Sequence, residues 1–234
     1  MDLKLNNRVV LVVGGTGTIG SVIAATLAAE GATVVAASRS GSTGEGAPDN
    51  VVPLAFDASD DASVVAGIQS VVDEYGRLDG VVITAAPAAH TLDPARKSDP
   101  DQVAEAVAAK SLVFLRVANA AIPFMREAGF GRIVAINGQN AYLTGNVTNA
   151  VRNAALIVMA KNLADELAGT GVTVNTVNPG GVTETPSSEV ALARGGESTP
   201  QQVADLTAFL ISPLSVTSGE SIAIAHRSLG VTVL

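Results

Sequence analysis

The sequence has 234 residues, 47% of them hydrophobic, which suits one α/β domain with a sizeable core and sets disorder aside. A net charge of −8 argues against nucleic acid or an anionic membrane surface as a partner, and the absence of cysteine excludes disulfides and thiolate chemistry. The two histidines, His90 and His226, give no metal-ligand spacing, so no metal is expected.

In chain order, the N-terminal stretch MDLKLNNRVVLVVGG carries an apolar run too short for a signal sequence or a membrane span. A soluble cytoplasmic protein is the simplest expectation. The run Val9–Val13 predicts a first strand, followed by a glycine loop and the helical pattern SVIAATLAAEG. Strands are predicted next at Thr33–Ala37 and Val51–Phe56, separated by the surface loop SGSTGEGAPDN, Ser40–Asn50. A fourth strand, Val81–Thr84, leads through a loop containing His90 to Ser98-Asp99-Pro100, which opens a long helix running to about Met125. The fifth strand, Ile133–Ile136, precedes a helix over about Asn149–Leu167, and the sixth is Val172–Val177. Thr199-Pro200-Gln201-Gln202 reads as a capping box with proline at the first helical position, and Ile222–Ala225 predicts the last strand. Continuously apolar strands are buried on both faces, as parallel strands are. Repeated β-α units of this kind predict a single domain over residues 1–234: a Rossmann-like, doubly wound parallel sheet of about seven strands with helices on both faces.

The loop Gly14-Gly15-Thr16-Gly17-Thr18-Ile19-Gly20 lies directly between the first strand and its helix. Glycines there turn the chain tightly and let backbone N–H groups approach a pyrophosphate, whose charge the helix N-terminus stabilises. Gly14, Thr16, Gly17, Thr18, Ile19 and Gly20 are therefore candidate dinucleotide contacts. The second strand ends Ser38-Arg39-Ser40 where an NAD-selective site places a carboxylate. An arginine and two serines suit a 2′-phosphate, so NADP(H) is favoured over NAD(H), with a solvated loop arginine as the alternative. Asp57, followed by Ala58, could hydrogen-bond an adenine amino group or cap the helix ahead of Ser59-Asp60.

In family order the chain then reads GRIVAIN, NAALIVMAKNLADEL, GVTVNTVNPGGVTET and TPQQVADLTAFLISPLSVTSGESI. With GGTGTIG and Asp57, these resemble the short-chain dehydrogenase/reductase family over nearly the full length. The resemblance implies a nicotinamide cofactor that also touches Ala85, Pro179, Gly180 and Val182. It also implies a catalytic tetrad of asparagine, serine, tyrosine and lysine. Those four positions hold Ser111, Gly138, Asn149 and Asn153 here. The threonine that holds the nicotinamide amide aligns with Glu184, and the loop between Gly138 and Asn149 is about two residues short. The family forms dimers or tetramers through two long helices, here about Asp101–Met125 and Asn149–Leu167, so a homodimer or homotetramer is expected.

In the family the tyrosine gives the carbonyl oxygen its proton, the lysine charge lowers the tyrosine pKa and holds the ribose, and the serine steadies the oxyanion. An amide neither titrates near neutrality nor carries charge, and glycine offers no side-chain donor. Asn149 and Asn153 share one helix face that is expected to look at the cofactor, Asn153 reaching a ribose hydroxyl. Ordinary tyrosine- and lysine-dependent ketone reduction is not expected. Two main readings follow: an NADP(H)-dependent oxidoreductase with a non-standard site, or a catalytically inactive dinucleotide-binding sensor or structural subunit; a lyase or isomerase reusing the nucleotide pocket is a third, which the retained glycine loop argues against. Tyr142 is the weak substitute candidate; His90 reads as an exposed loop residue. The substrate is unreadable.

Overall fold

The fold is seen in a computed structural model that describes residues 1–43, 46–87, 91–192 and 194–228. Seven parallel strands form one sheet in the order β3-β2-β1-β4-β5-β6-β9: β1 Val9–Val13, β2 Thr33–Ser38, β3 Val51–Ala55, β4 Gly80–Ile83, β5 Gly131–Ile136, β6 Val172–Asn178 and β9 Ser221–Ala223. A separate two-stranded piece pairs β7 Gly181–Val182 with β8 Glu197–Ser198. The helices are α1 Thr18–Ala29, α2 Asp61–Tyr75, α3 Pro100–Val107, α4 Val113–Ala128, α5 Val147–Glu166 and α6 Pro200–Ile211.

The strand pattern explains the layers. Alternate residues point to opposite faces of a sheet. Val9, Leu11 and Val13 of β1 join the core under α2, α4 and α5, while Val10 and Val12 join the core under α1 and α6. Ile133 and Ala135 against Val134 and Ile136 divide β5 in the same way. Both faces are therefore covered, as parallel strands require. The predicted Val51–Phe56 strand is the exception: β3 is an edge strand, ends at Ala55, and keeps only Val51 buried. Its apolar look came from Val52, Pro53 and Leu54, and a proline is tolerated at a sheet edge. The last strand is shorter than predicted, stopping at Ala223, and Ala225 takes a positive φ of 60°.

The long helix opens as predicted, with the Asp99 carboxylate accepting from the Gln102 N–H at 2.9 Å and Pro100 at its first position. It is not uniform. A π turn, Ala108–Leu112, joins α3 to α4, which continues to Ala128. The whole stretch Pro100–Ala128 is long and apolar enough to cross a membrane by composition. Its Val113, Phe114, Val117, Ala118, Ala121 and Met125 are instead buried in the core against the sheet. At the start of α6 both halves of the Thr199–Gln202 capping box are made.

At the N-terminal end of the sheet Asp79 is buried and ringed by Arg8 Nη1 at 2.7 Å, Arg77 Nη2 at 2.6 Å and the Val9 N–H at 2.9 Å. Burial pushes its carboxyl up, but the hydrogen bonds from Arg77, Val9 and Arg8 outweigh that and hold it below the usual carboxylate range. Arg8 and Arg132 each stack on the Phe130 ring, at 4.4 and 4.3 Å from its centroid.

Candidate active site

A cleft of about 840 Å³ opens at the C-terminal ends of β1–β6, the place where open α/β sheets bind ligands. One wall is the glycine loop. Gly14 turns at φ +86°, and a Cβ there would meet Thr84 Oγ1 at 2.5 Å. A Cβ on Gly20 would strike the Gly14 carbonyl oxygen. Thr84 Oγ1 donates to the carbonyls of Val13 and Gly14 at 3.0 and 3.1 Å, pinning the loop to the end of β4. The α1 N-terminus that follows has Gly17 at its cap and no side-chain cap bond, so its first N–H groups remain for a ligand in the cleft. A backbone cradle at an uncapped helix start fits a pyrophosphate.

Every residue expected to contact the nucleotide lines this one cleft. Gly14, Thr16, Gly17, Thr18, Ile19 and Gly20 form the loop wall; Ser38, Arg39, Asp57 and Ala58 line the end beyond β2 and β3; Ala85, Asn153, Pro179, Gly180 and Val182 line the other end. Arg39 is exposed at the rim beside a chain of hydroxyls, Ser38 to Ser40 at 3.2 Å and Ser40 to Ser42 at 2.7 Å. The Asp57 carboxylate accepts from Ser59 Oγ at 2.6 Å and Ser59 N–H at 2.9 Å, which hold its pKa below the usual value. It does not cap α2. Asp60 does that, accepting from the Ser63 N–H at 2.7 Å. Glu184 is exposed and stands outside the cleft lining.

The four tetrad positions do different things. Gly138 lines the cleft, with room for a Cβ 3.4 Å from Asn153 Oδ1. Ser111 is fully buried and donates to the Arg152 carbonyl at 2.7 Å, tying the π turn to α5. The Asn149 side chain does not reach the cleft lining, although it shares a helix face with Asn153. Its backbone carbonyl accepts from Asn153 Nδ2 at 2.6 Å, and its own Oδ1 is buried without a hydrogen bond among the described residues. Asn153 is buried and faces the cleft.

Sequence reasoning missed Lys110. It lies in the π turn and is 6% exposed, and its ammonium donates to Asn153 Oδ1 at 2.5 Å. A positive charge thus rests on the side chain that stands in the family's lysine position, delivered from a different helix. Burial pushes the Lys110 ammonium down to about 7, and the Arg152 charge acts in the same direction. Arg152 is itself buried, lines the cleft, and donates through Nη1 to the Pro87 carbonyl at 3.1 Å. A signal was available in the sequence: Lys110 falls at helical spacing between Ala106 and Phe114, both buried, so a lone cation interrupts the core stripe.

Of the other candidates, Tyr142 ends a 3-10 turn, Gln139–Tyr142, at the cleft mouth, but its side chain lies outside the described part of the structure. His90 lies outside the described residues altogether. His226 Nδ1 is 2.9 Å from the Arg227 carbonyl, and the His226 carbonyl accepts from Gln139 Nε2 at 3.2 Å, which closes the C-terminal segment over the turn. Among the described residues no cluster of His, Asp or Glu is arranged to hold a metal.

Comparison with known proteins agrees with this geometry. The model of the family described as short chain dehydrogenase matches residues 8–193. The chain is 30% identical over 230 residues to 3-oxoacyl-[acyl-carrier-protein] reductase FabG of Thermotoga maritima, covering 90% of this chain and 92% of that one. It is also 30% identical over 232 residues to (2S)-[(R)-hydroxy(phenyl)methyl]succinyl-CoA dehydrogenase subunit BbsC of Thauera aromatica, covering 92% and 91%. The crystal structure of gox2181 superposes with a TM-score of 0.78 at 24% identity over 96% of each chain, a likeness of fold. With the glycine cradle, the strand order and the cleft in place, these matches make the chain a member of the short-chain dehydrogenase/reductase family, a family of oxidoreductases that bind a nicotinamide dinucleotide.

Proposed function

We propose that the protein is an NADP(H)-dependent carbonyl reductase whose ionisable group comes from the π turn rather than from α5. The observation that carries this is the Lys110–Asn153 contact of 2.5 Å in the cleft wall. The bound nicotinamide would supply the hydride. Arg39 and the Ser38, Ser40 and Ser42 hydroxyls would hold a 2′-phosphate, and the glycine loop the pyrophosphate. Asn153, held by Lys110 and by the Asn149 carbonyl, keeps its amide oxygen fixed. That orientation leaves two Lys110 N–H bonds for a ribose hydroxyl or a carbonyl oxygen. An ammonium that titrates near neutrality can release a proton to the developing alkoxide, a role that no asparagine can fill. A homo-oligomer in the cytoplasm belongs to the same reading.

The test is calorimetric titration of NADPH and NADH into the purified protein, followed by NADPH oxidation over a panel of ketones and oxo acids. NADPH is expected to bind more tightly than NADH, and Lys110→Met to lower turnover by ~10²–10⁴, the usual loss for a general acid. NADPH binding without turnover of any panel member would support a non-catalytic subunit instead. That second reading is favoured by Gly138, Asn149 and Asn153 and by the likeness to a protein named as a dehydrogenase subunit. Lys110 is the reason to prefer catalysis.

A further inference from the structure

Two cations, Lys110 and Arg152, are buried in the same cleft wall at 6% and 4% exposure, close enough that the Arg152 charge acts on the Lys110 ammonium. Among the described residues no carboxylate pairs with either. Among the described residues the only acidic side chain lining the cleft is Asp57, beyond the end of β3. Three strand spacings separate β3 from β4, roughly 14 Å across the sheet. Neither cation is saturated by hydrogen bonds. Arg152 Nε is buried without a partner among the described residues, and the hydrogen bond described for Lys110 uses one of its three N–H bonds. Buried charges in proteins are ordinarily paired, and an unpaired pair of like sign is held only where something else compensates. The dinucleotide does not bring compensation to this end. Its phosphates fit the glycine loop and Arg39, which leaves neutral ribose hydroxyls and a ring beside Lys110.

We propose that Lys110 and Arg152 form an anion subsite at the substrate end of the cleft, and that the substrate is a small oxo acid whose carboxylate docks there beside its carbonyl group. The proposal rests on the carbonyl-reductase reading above and deepens it by naming the substrate class. A carboxylate between the two cations would accept from Arg152 Nε and from one of the two free Lys110 N–H bonds, leaving the other for the carbonyl oxygen; charge-assisted hydrogen bonds favour such an arrangement. It would also hold Lys110 protonated at neutral pH, so anion binding should draw a proton from the buffer.

The experiment is calorimetric titration of acetoacetate, and of its neutral amide acetoacetamide, into apo and NADPH-saturated protein in buffers of different ionisation enthalpy. Acetoacetate is expected to bind at least tenfold more tightly than the amide, with proton uptake at pH 7.5. The preference should fall to within twofold in Lys110→Met and in Arg152→Gln. Circular dichroism checks both folds, and Lys110→Met alone suffices if the arginine variant is unstable. Equal binding of acid and amide, or an acid preference that survives in Lys110→Met, overturns the subsite. Displacement of acetoacetate by NADPH overturns the substrate assignment, because the cations would then serve a cofactor phosphate. Lys110-dependent acetoacetate binding in a protein that binds no NADPH would uphold the subsite while removing the reductase reading.

Discussion

At the scale of single residues, Lys110 makes a prediction that needs no substrate. In the unfolded chain its pKa returns to 10.5, whereas in the fold it titrates at about 7. Between those values the unfolded state binds the extra proton, so stability rises with pH across that window, by at most about 1.4 kcal/mol per pH unit. Below about pH 7 both states are protonated, and the folded state carries the burial penalty in full. Urea unfolding of apo wild type and Lys110→Met at pH 6.5 and 9.0 should show the wild type gaining stability relative to the variant at the higher pH. Identical pH slopes in the two proteins would show that burial does not lower the Lys110 pKa. Legibility at this scale was uneven. The residues that line the cleft could be read because each signal is local: a glycine at a turn, a serine or arginine at a strand end. Lys110 showed only as a lone cation in a core stripe; its role depends on Asn153, which is 43 positions away in the chain and meets it only in the fold.

At the scale of elements, the strand–loop–helix unit from β1 to α1 is where sequence and structure agree most closely, since backbone conformation alone dictates it. Gly20 packs against the loop that it follows, and any Cβ there meets the Gly14 carbonyl oxygen. Gly20→Ala should therefore weaken NADPH affinity at least tenfold, read by calorimetry, and lower the thermal midpoint; unchanged affinity would mean that the loop does not cradle the cofactor. The π turn was illegible. AAKSL has ordinary helical composition, and the turn carries a tertiary bond, Ser111 to the Arg152 carbonyl on α5, that no local pattern announces. Edge strand β3 misled for a related reason: its apolar residues match a buried strand, and only the sheet order puts it at the margin.

At the scale of the molecule, the alternation of strands and helices was enough to give a doubly wound sheet, because covering both faces leaves few arrangements. How copies assemble was not. Helix α5 carries exposed Val147, Val151 and Val158 at 45%, 39% and 60%, on the helix that the family resemblance assigns to subunit contacts. A double substitution, Val151→Glu with Val158→Glu, is expected to convert a dimer or tetramer to monomers in light scattering behind gel filtration while leaving circular dichroism unchanged. An oligomer that survives both charges would place the interface elsewhere.

The contact between Lys110 and Asn153 also bears on history. Two lysines reaching one point from facing helices would repel each other in a buried wall, so the family's usual arrangement and the present one exclude one another. Restoring Asn153→Lys, even together with Gly138→Ser and Asn149→Tyr, puts a second ammonium where Lys110 already stands. Asn153→Lys should thus be poorly tolerated alone and well tolerated when combined with Lys110→Asn, a sign reversal measurable as a double-mutant cycle in thermal midpoint. Simple additivity of the two changes would mean that the helices adjust independently. If the coupling holds, no single substitution leads to the family's usual site, and the cation on the π turn acts as an evolutionary ratchet.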